Sequence, residues 1–119
     1  MNIFEYDLRT TFEQRKKDVD DILTKYPDRI PILIQKTLDN KLPSLKKNKY
    51  LVSPDMMLLN FMFIIRKNIL LRQEQALMFF IGENNLVVAP NKLMKEIYKD
   101  YKSKDGFLRI IYGLENTFG

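Results

Sequence analysis

The runs Arg29-Ile30-Pro31-Ile32-Leu33-Ile34-Gln35-Lys36 and Lys49-Tyr50-Leu51-Val52 decide how this chain is read. Both are rich in β-branched or aromatic residues and bounded by turn formers, so each predicts a strand. Pro31 has no N–H to give to a ladder and so marks an edge or an irregularity in the first of them. Asn40, Pro43 and Ser44 place a polar loop between the two. Working backwards, Pro27 ends a helix, because the residue before a proline avoids the α region. That helix opens at Thr10-Thr11-Phe12-Glu13-Gln14, which offers two overlapping capping boxes. Phe12, Val19, Ile22, Leu23 and Tyr26 then share one helical face. A shorter helical turn is expected around Ile3 to Leu8.

Working forwards, Ser53-Pro54-Asp55 caps a segment from Met56 to Leu71 that is apolar on nearly every side. Such a segment predicts a helix buried against a sheet. Ala76 to Ile81 is a continuous apolar strand. Pro90 opens another helix, with Leu93/Met94, Ile97/Tyr98 and Tyr101 repeating along it. Asp105-Gly106 turns into a last strand, Phe107 to Tyr112. The order helix, helix, strand, strand, helix, strand, helix, strand is α+β. Strand, strand, helix, strand, strand is the order of the ubiquitin-like β-grasp: a four-stranded mixed sheet with two packing helices. It is expected over residues 27–119 as one unit, behind an N-terminal helical extension of two helices over residues 1–26.

Composition excludes more than it suggests. The 119 residues contain neither Cys nor His, so disulfides, thiolate zinc sites, cysteine nucleophiles and imidazole bases are absent. Four scattered glycines form no phosphate-cradling loop. The Asp20-Asp21 pair, with Asp18, reads as a solvated acidic face rather than a catalytic dyad. The chain is not expected to be an enzyme, to need a cofactor or to bind a metal. Met1 to Phe12 carries Glu5 and Asp7 without an apolar run, unlike a secretory leader. The longest apolar stretch is about half of the roughly 20 residues that a membrane span needs. A cytoplasmic protein is expected.

The net charge of +5 is concentrated. From Lys36 to Arg72 eight cations stand against two acids, so that window carries +6 and the remainder −1. A local basic field attracts acidic peptides, anionic headgroups or nucleic acid. Only Tyr50 lies beside Lys46, Lys47 and Lys49 as a stacking aromatic, so no nucleic-acid partner is expected.

Five blocks carry a family resemblance: Lys25-Tyr26-Pro27-Asp28-Arg29-Ile30-Pro31, Lys49-Tyr50-Leu51-Val52, Ile65-Arg66-Lys67, Asp105-Gly106-Phe107-Leu108 and Glu115-Asn116-Thr117-Phe118-Gly119. In that order they resemble the autophagy ubiquitin-like modifiers, the GABARAP and microtubule-associated protein light-chain-three family. The resemblance runs from about Phe12 to the end, in register except near Gly82 to Pro90, where this chain is slightly longer. It implies attachment of the Gly119 carboxylate to phosphatidylethanolamine after ATP-dependent activation and transfer between partner cysteines. Glycine suits that chemistry because it has no Cβ to obstruct exchange in a narrow channel. Gly119 is also the last residue, so its carboxylate is expected to be free already, leaving the family's cysteine protease only the removal of lipid.

The resemblance also implies capture of acid-flanked aromatic-x-x-aliphatic peptides, added as a strand beside the second strand. Lys47 and Lys49 would steer the acids and Arg29 would pair with one. Asp18, Ile22, Pro31, Lys49, Leu51 and Phe107 would line an aromatic pocket. Tyr50, Val52, Phe61 and Ile64, with Met56, would line an aliphatic one. The implied partners are the pathway's activating and conjugating enzymes, the delipidating protease, cargo receptors, autophagosomal membrane through the lipid, and microtubules. The chain departs from its relatives at Asn68, Ser53-Pro54, Met78 and Arg109, the last in place of a frequent tyrosine. The alternative function is an unconjugated basic scaffold that binds tubulin tails or RNA through Lys36 to Arg72.

Overall fold

The helix Phe12–Lys25 (α2) begins where its sequence offers two caps, and it uses the second. Thr11 Oγ1 accepts from the Gln14 N–H at 3.1 Å, and Gln14 Oε1 accepts from the Thr11 N–H at 2.8 Å. Thr10 is committed elsewhere: its hydroxyl donates to the Tyr6 carbonyl at 2.6 Å and closes the preceding helix, α1 (Glu5–Arg9). These elements belong to a computed structural model that describes residues 4–38 and 42–115.

The strands are β1 (Ile30–Lys36), β2 (Lys49–Val52), β3 (Leu77–Ile81) and β4 (Leu108–Leu114), with α3 (Leu58–Lys67) and α4 (Met94–Tyr101) between them. The sheet order is β2-β1-β4-β3, with β1 and β4 parallel in the centre and antiparallel partners outside. β1 is therefore a central strand despite its proline. Pro31 is tolerated because pairing with β4 begins one residue later, at Ile32 opposite Leu108.

Strand alternation divides the apolar residues between two faces. Ile30, Ile32, Ile34, Val52, Leu108, Ile110 and Tyr112 join Leu58, Phe61 and Ile65 of α3 and Met94 and Ile97 of α4 in the larger core. Leu33 and Ile111 face the other way and meet Phe107, Val19 and Phe4. The N-terminal helices thus share a core with the sheet.

α3 is shorter at both ends than its apolar run, Met56 to Leu71, predicts. At its start Met57 bridges Leu93, and the Met56 carbonyl accepts from the Met94 N–H at 2.8 Å, so both methionines are drawn into pairing with the approach to α4. At its end Asn68 bonds back to the Ile64 carbonyl, and Arg66 donates to the Gln75 carbonyl at 2.6 Å, gathering the next loop. Nor is α3 buried all round: Leu59 and Phe63 face solvent. Ser53 makes only a local turn to the Asp55 N–H, and the helix N-cap is Met57, with Asn60 reaching back to it. α4 starts at Met94 rather than beside Pro90, because Glu96 reaches back to the Leu93 N–H at 2.9 Å.

Gly106 positions the turn into β4. Its φ is +98°, and a Cβ there would stand 2.7 Å from Val19 Cγ1. Tyr98 donates to its carbonyl at 2.7 Å. Gly106→Ala is expected to destabilise the fold by about 1–3 kcal/mol through the strained φ and the clash with α2. Thermal unfolding of the two proteins checks this.

Candidate functional site

β2 is an edge strand, and among the described residues nothing pairs with its outer side. Its register against β1 sets what the edge presents. Pro31 faces Leu51 and Leu33 faces Lys49, while Ile30 faces Val52 and Ile32 faces Tyr50. Paired residues share a face, so Lys49 and Leu51 point toward α2, and Tyr50 and Val52 toward α3. One short strand thereby presents side chains to both faces of the sheet.

On the α2 side Phe107 and Pro31 are buried, Ile22 is half-buried, and Leu51 is partly exposed at the rim. Lys49 and Asp18 meet on this side, Nζ to Oδ2, at 2.6 Å. Tyr6 of α1 donates its hydroxyl to the same oxygen at 2.8 Å. Burial works against the Lys49 ammonium, but Asp18 outweighs it and raises the pKa above the ordinary lysine value. The Tyr6 phenol is also raised, first by burial and then by its bond to Asp18, so it stays a donor. Asp18 is thus no part of a solvated acidic face. Asp21 is, paired with Lys17 in the open.

On the α3 side Phe61 is fully buried and meets Tyr50 and Phe79 edge-on at 5.6 and 5.9 Å. It is floor, not wall. Val52 is buried beside it, and Tyr50, Ile64 and Met56 are the partly exposed residues above the same core. Lys47 is exposed with its ammonium 5.1 Å from the Tyr50 ring centre. Arg29 is exposed near the far end of β2, with Tyr26 and Ser53 around a hollow of about 590 Å³. Gly119 lies outside the described residues, as does Lys41.

The basic window is not one patch. Lys36 donates to the Leu42 carbonyl, Arg66 is spent on loop carbonyls and Arg72 faces Glu74. Lys46, Lys47 and Lys49 remain together at the start of β2, around a hollow of about 450 Å³ that Arg9 and Tyr6 also line.

Sequence reasoning did not foresee a second polar constellation, on the α1 side of β4. Arg109, 8% exposed, donates to Asp105 at 2.8 and 3.0 Å and to Asp7 at 2.6 and 3.2 Å. Arg15 adds a bond to Asp105 at 2.9 Å. The visible signal was a charge inside the apolar run Leu108-Arg109-Ile110, which requires a buried partner. These residues line a cavity of about 380 Å³.

The chain matches the family model described as "Autophagy protein Atg8 ubiquitin like" over residues 14–119. The chain belongs to the Atg8 family. It is 42% identical to Autophagy-related protein 8e of Arabidopsis thaliana over 118 residues, covering 99% of this chain and 93% of that protein. It is also 42% identical to Autophagy-related protein 8 of Mycosarcoma maydis over 109 residues, 92% of this chain and 91% of that one. Trypanosoma brucei ATG8 superposes with a TM-score of 0.88 at 34% identity, over 99% of this chain and 100% of that one. Plasmodium falciparum Atg8, solved in complex with an Atg3 peptide from the same organism, gives 0.82 at 30%, over 93% and 96%. The chain is therefore an autophagy ubiquitin-like modifier of a non-enzymatic family. No helix among the described residues is long and apolar enough to cross a membrane.

The buried pair makes a prediction about acid. Burial pushes the Asp105 carboxyl up, but Arg109, the Phe107 N–H and Arg15 together hold it below its ordinary value. A carboxyl that ionises more readily when folded binds fewer protons there. Its stabilisation is complete above the unfolded pKa of about 4 and is lost as pH falls through the depressed folded value. Asp105→Asn is expected to cost about 3–5 kcal/mol at neutral pH, since it leaves Arg109 buried with half its counter-charge. Thermal melts should also show a weaker loss of stability below about pH 4 in this variant than in the wild type.

Proposed function

We propose that this Atg8 protein is joined through the Gly119 carboxylate to phosphatidylethanolamine on autophagosomal membranes. There it would capture receptors by adding their aromatic-x-x-aliphatic segments to β2. The observation that supports peptide capture best is the outer edge of β2, unpaired among the described residues and flanked by apolar residues on each face. An extended peptide finds main-chain partners along such an edge, and its alternate side chains reach hollows on alternate faces. Lys46 and Lys47 supply the field that draws acidic flanks. The Plasmodium relative, solved with an Atg3 peptide, supports a peptide-binding surface on this fold.

The attachment reading rests on the family match and on the ordered family blocks, among them Glu115-Asn116-Thr117-Phe118-Gly119. ATP-driven activation converts the glycine carboxylate to an enzyme thioester, and the headgroup amine displaces the thiolate to leave an amide. The protein divides its time between the cytoplasm and the autophagosomal membrane, returning when a cysteine protease cleaves that amide.

Two measurements test these readings. Incubation with an activating and conjugating system, ATP and phosphatidylethanolamine liposomes should produce a gel-mobility shift that Gly119→Ala abolishes. A shift that persists in the variant would show attachment elsewhere. Calorimetry with an acid-flanked aromatic-x-x-aliphatic peptide should show Leu51→Ala weakening binding by about 1–2 kcal/mol. Unchanged affinity would move the groove away from β2. Affinity that collapses with added salt and ignores the peptide's aromatic residue would favour the basic-scaffold alternative.

A further inference from the structure

Phe107, which the family resemblance puts in the aromatic pocket, is covered from within the chain. The Lys49 ammonium lies 5.9 Å from the Phe107 ring centre and 4.9 Å from that of Tyr6. Asp18 holds it there, and Tyr6 adds its own bond to the same carboxylate oxygen while meeting Phe107 edge-on at 5.7 Å. Three elements, α1, α2 and β2, thus converge on one oxygen above the hollow's floor. An aromatic side chain coming to rest on Phe107 must first displace Lys49.

What keeps Tyr6 there is not α1 itself. A helix of five residues has no stability of its own. Its place is set by Phe4, buried in the cluster with Leu33, Phe107 and Ile111, and by the ion pairs of the residue after Tyr6. Asp7 takes a forked pair of bonds from Arg109, and Arg109 is anchored in turn by Asp105. Arg109 points this way because strand alternation puts it, like Phe107 and Ile111, on the α1 side of β4. Arg15 also approaches Asp7, at 3.4 Å, and lighter bonds run from the Glu5 N–H to Gln35 Oε1 at 3.1 Å and from the Thr10 hydroxyl to the Tyr6 carbonyl.

We propose that Asp7 and Arg109 are positioning residues for the peptide groove. Their ion pair docks α1 so that Tyr6 and Asp18 hold Lys49 across the aromatic hollow, and the hollow opens when α1 releases. The inference rests on the peptide-capture reading given above. The residues act at a distance: neither Asp7 nor Arg109 lines the groove, and both act through Tyr6. A protein that spends most of its time closed loses apparent affinity in proportion to its closed fraction.

The test uses the full chain and two variants. Asp7→Asn keeps the side chain's size but removes its charge. Tyr6→Phe keeps the ring against Phe107 but removes the hydroxyl that reaches Asp18. Stopped-flow and calorimetric titration with the acid-flanked peptide should show both variants associating faster and binding roughly three- to tenfold tighter than the wild type. Amide exchange over residues 5–9 should rise in Asp7→Asn and stay unchanged in Tyr6→Phe, a division that a merely structural role would not produce. Affinity that is unchanged or weaker in both variants, with the wild type binding, would overturn the latch and leave peptide capture standing. So would unchanged exchange in Asp7→Asn. A peptide that binds none of the three proteins would remove peptide capture and the latch with it.

Discussion

The antiparallel register of β1 against β2 is the constraint on which the candidate groove depends. Leu33 opposite Lys49, and Pro31 opposite Leu51, fix two residues of the edge strand on the α2 face. The two residues interleaved with them are thereby fixed on the α3 face. A slip of one residue would exchange the faces, sending a lysine into the core around Phe61 and a valine and a tyrosine toward Asp18. The register is held because β1 is buried on both sides. Ile32 and Ile34 are sealed under α3 and α4, and Leu33 under α2. What the exposed edge presents is thus dictated by packing in the strand next to it.

Much of this was legible in the sequence. β2 runs over Lys49–Val52 as its β-rich block predicts, and α2 spans the segment between its caps and Pro27. These elements declare themselves through short-range chemistry: alternation, a capping box, a proline. The ends of α3 did not, because they are set by partners far along the chain. Met56 and Met57 are claimed by the segment entering α4, and Arg66 by carbonyls of the following loop. The proline in β1 was misleading in the same sense. Its missing N–H is harmless only because β4 begins to pair one position later, and nothing local to Ile30–Lys36 says so.

The groove residues divide in the same way. Resemblance nominated them as one set, and the geometry sorts them into buried floor (Phe61, Phe107, Pro31, Val52) and accessible rim (Leu51, Tyr50, Ile64, Lys49). Composition could not make that separation, because a phenylalanine reads the same whether it floors a hollow or walls it. Nothing local marks Tyr6 and Asp7 as positioning residues, because their partners lie 12 and 102 residues away. Arg109 stood out only as a departure from its relatives. Its place between Asp7 and Asp105 turns that departure into a link between the first helix and the last strand.

The two faces of the sheet are held by unlike materials. Hydrocarbon seals one, while the other adds a guanidinium–carboxylate lattice around Asp105 to a smaller apolar cluster. Chemical denaturants should therefore not act on them alike. Urea, being uncharged, leaves the lattice's attraction intact and must dissolve both layers together. Guanidinium chloride is itself a salt, and its cation copies the head group of Arg109 and Arg15, so it screens and competes for the same oxygens. The difference between unfolding in the two agents consequently reports what the lattice contributes to one small protein.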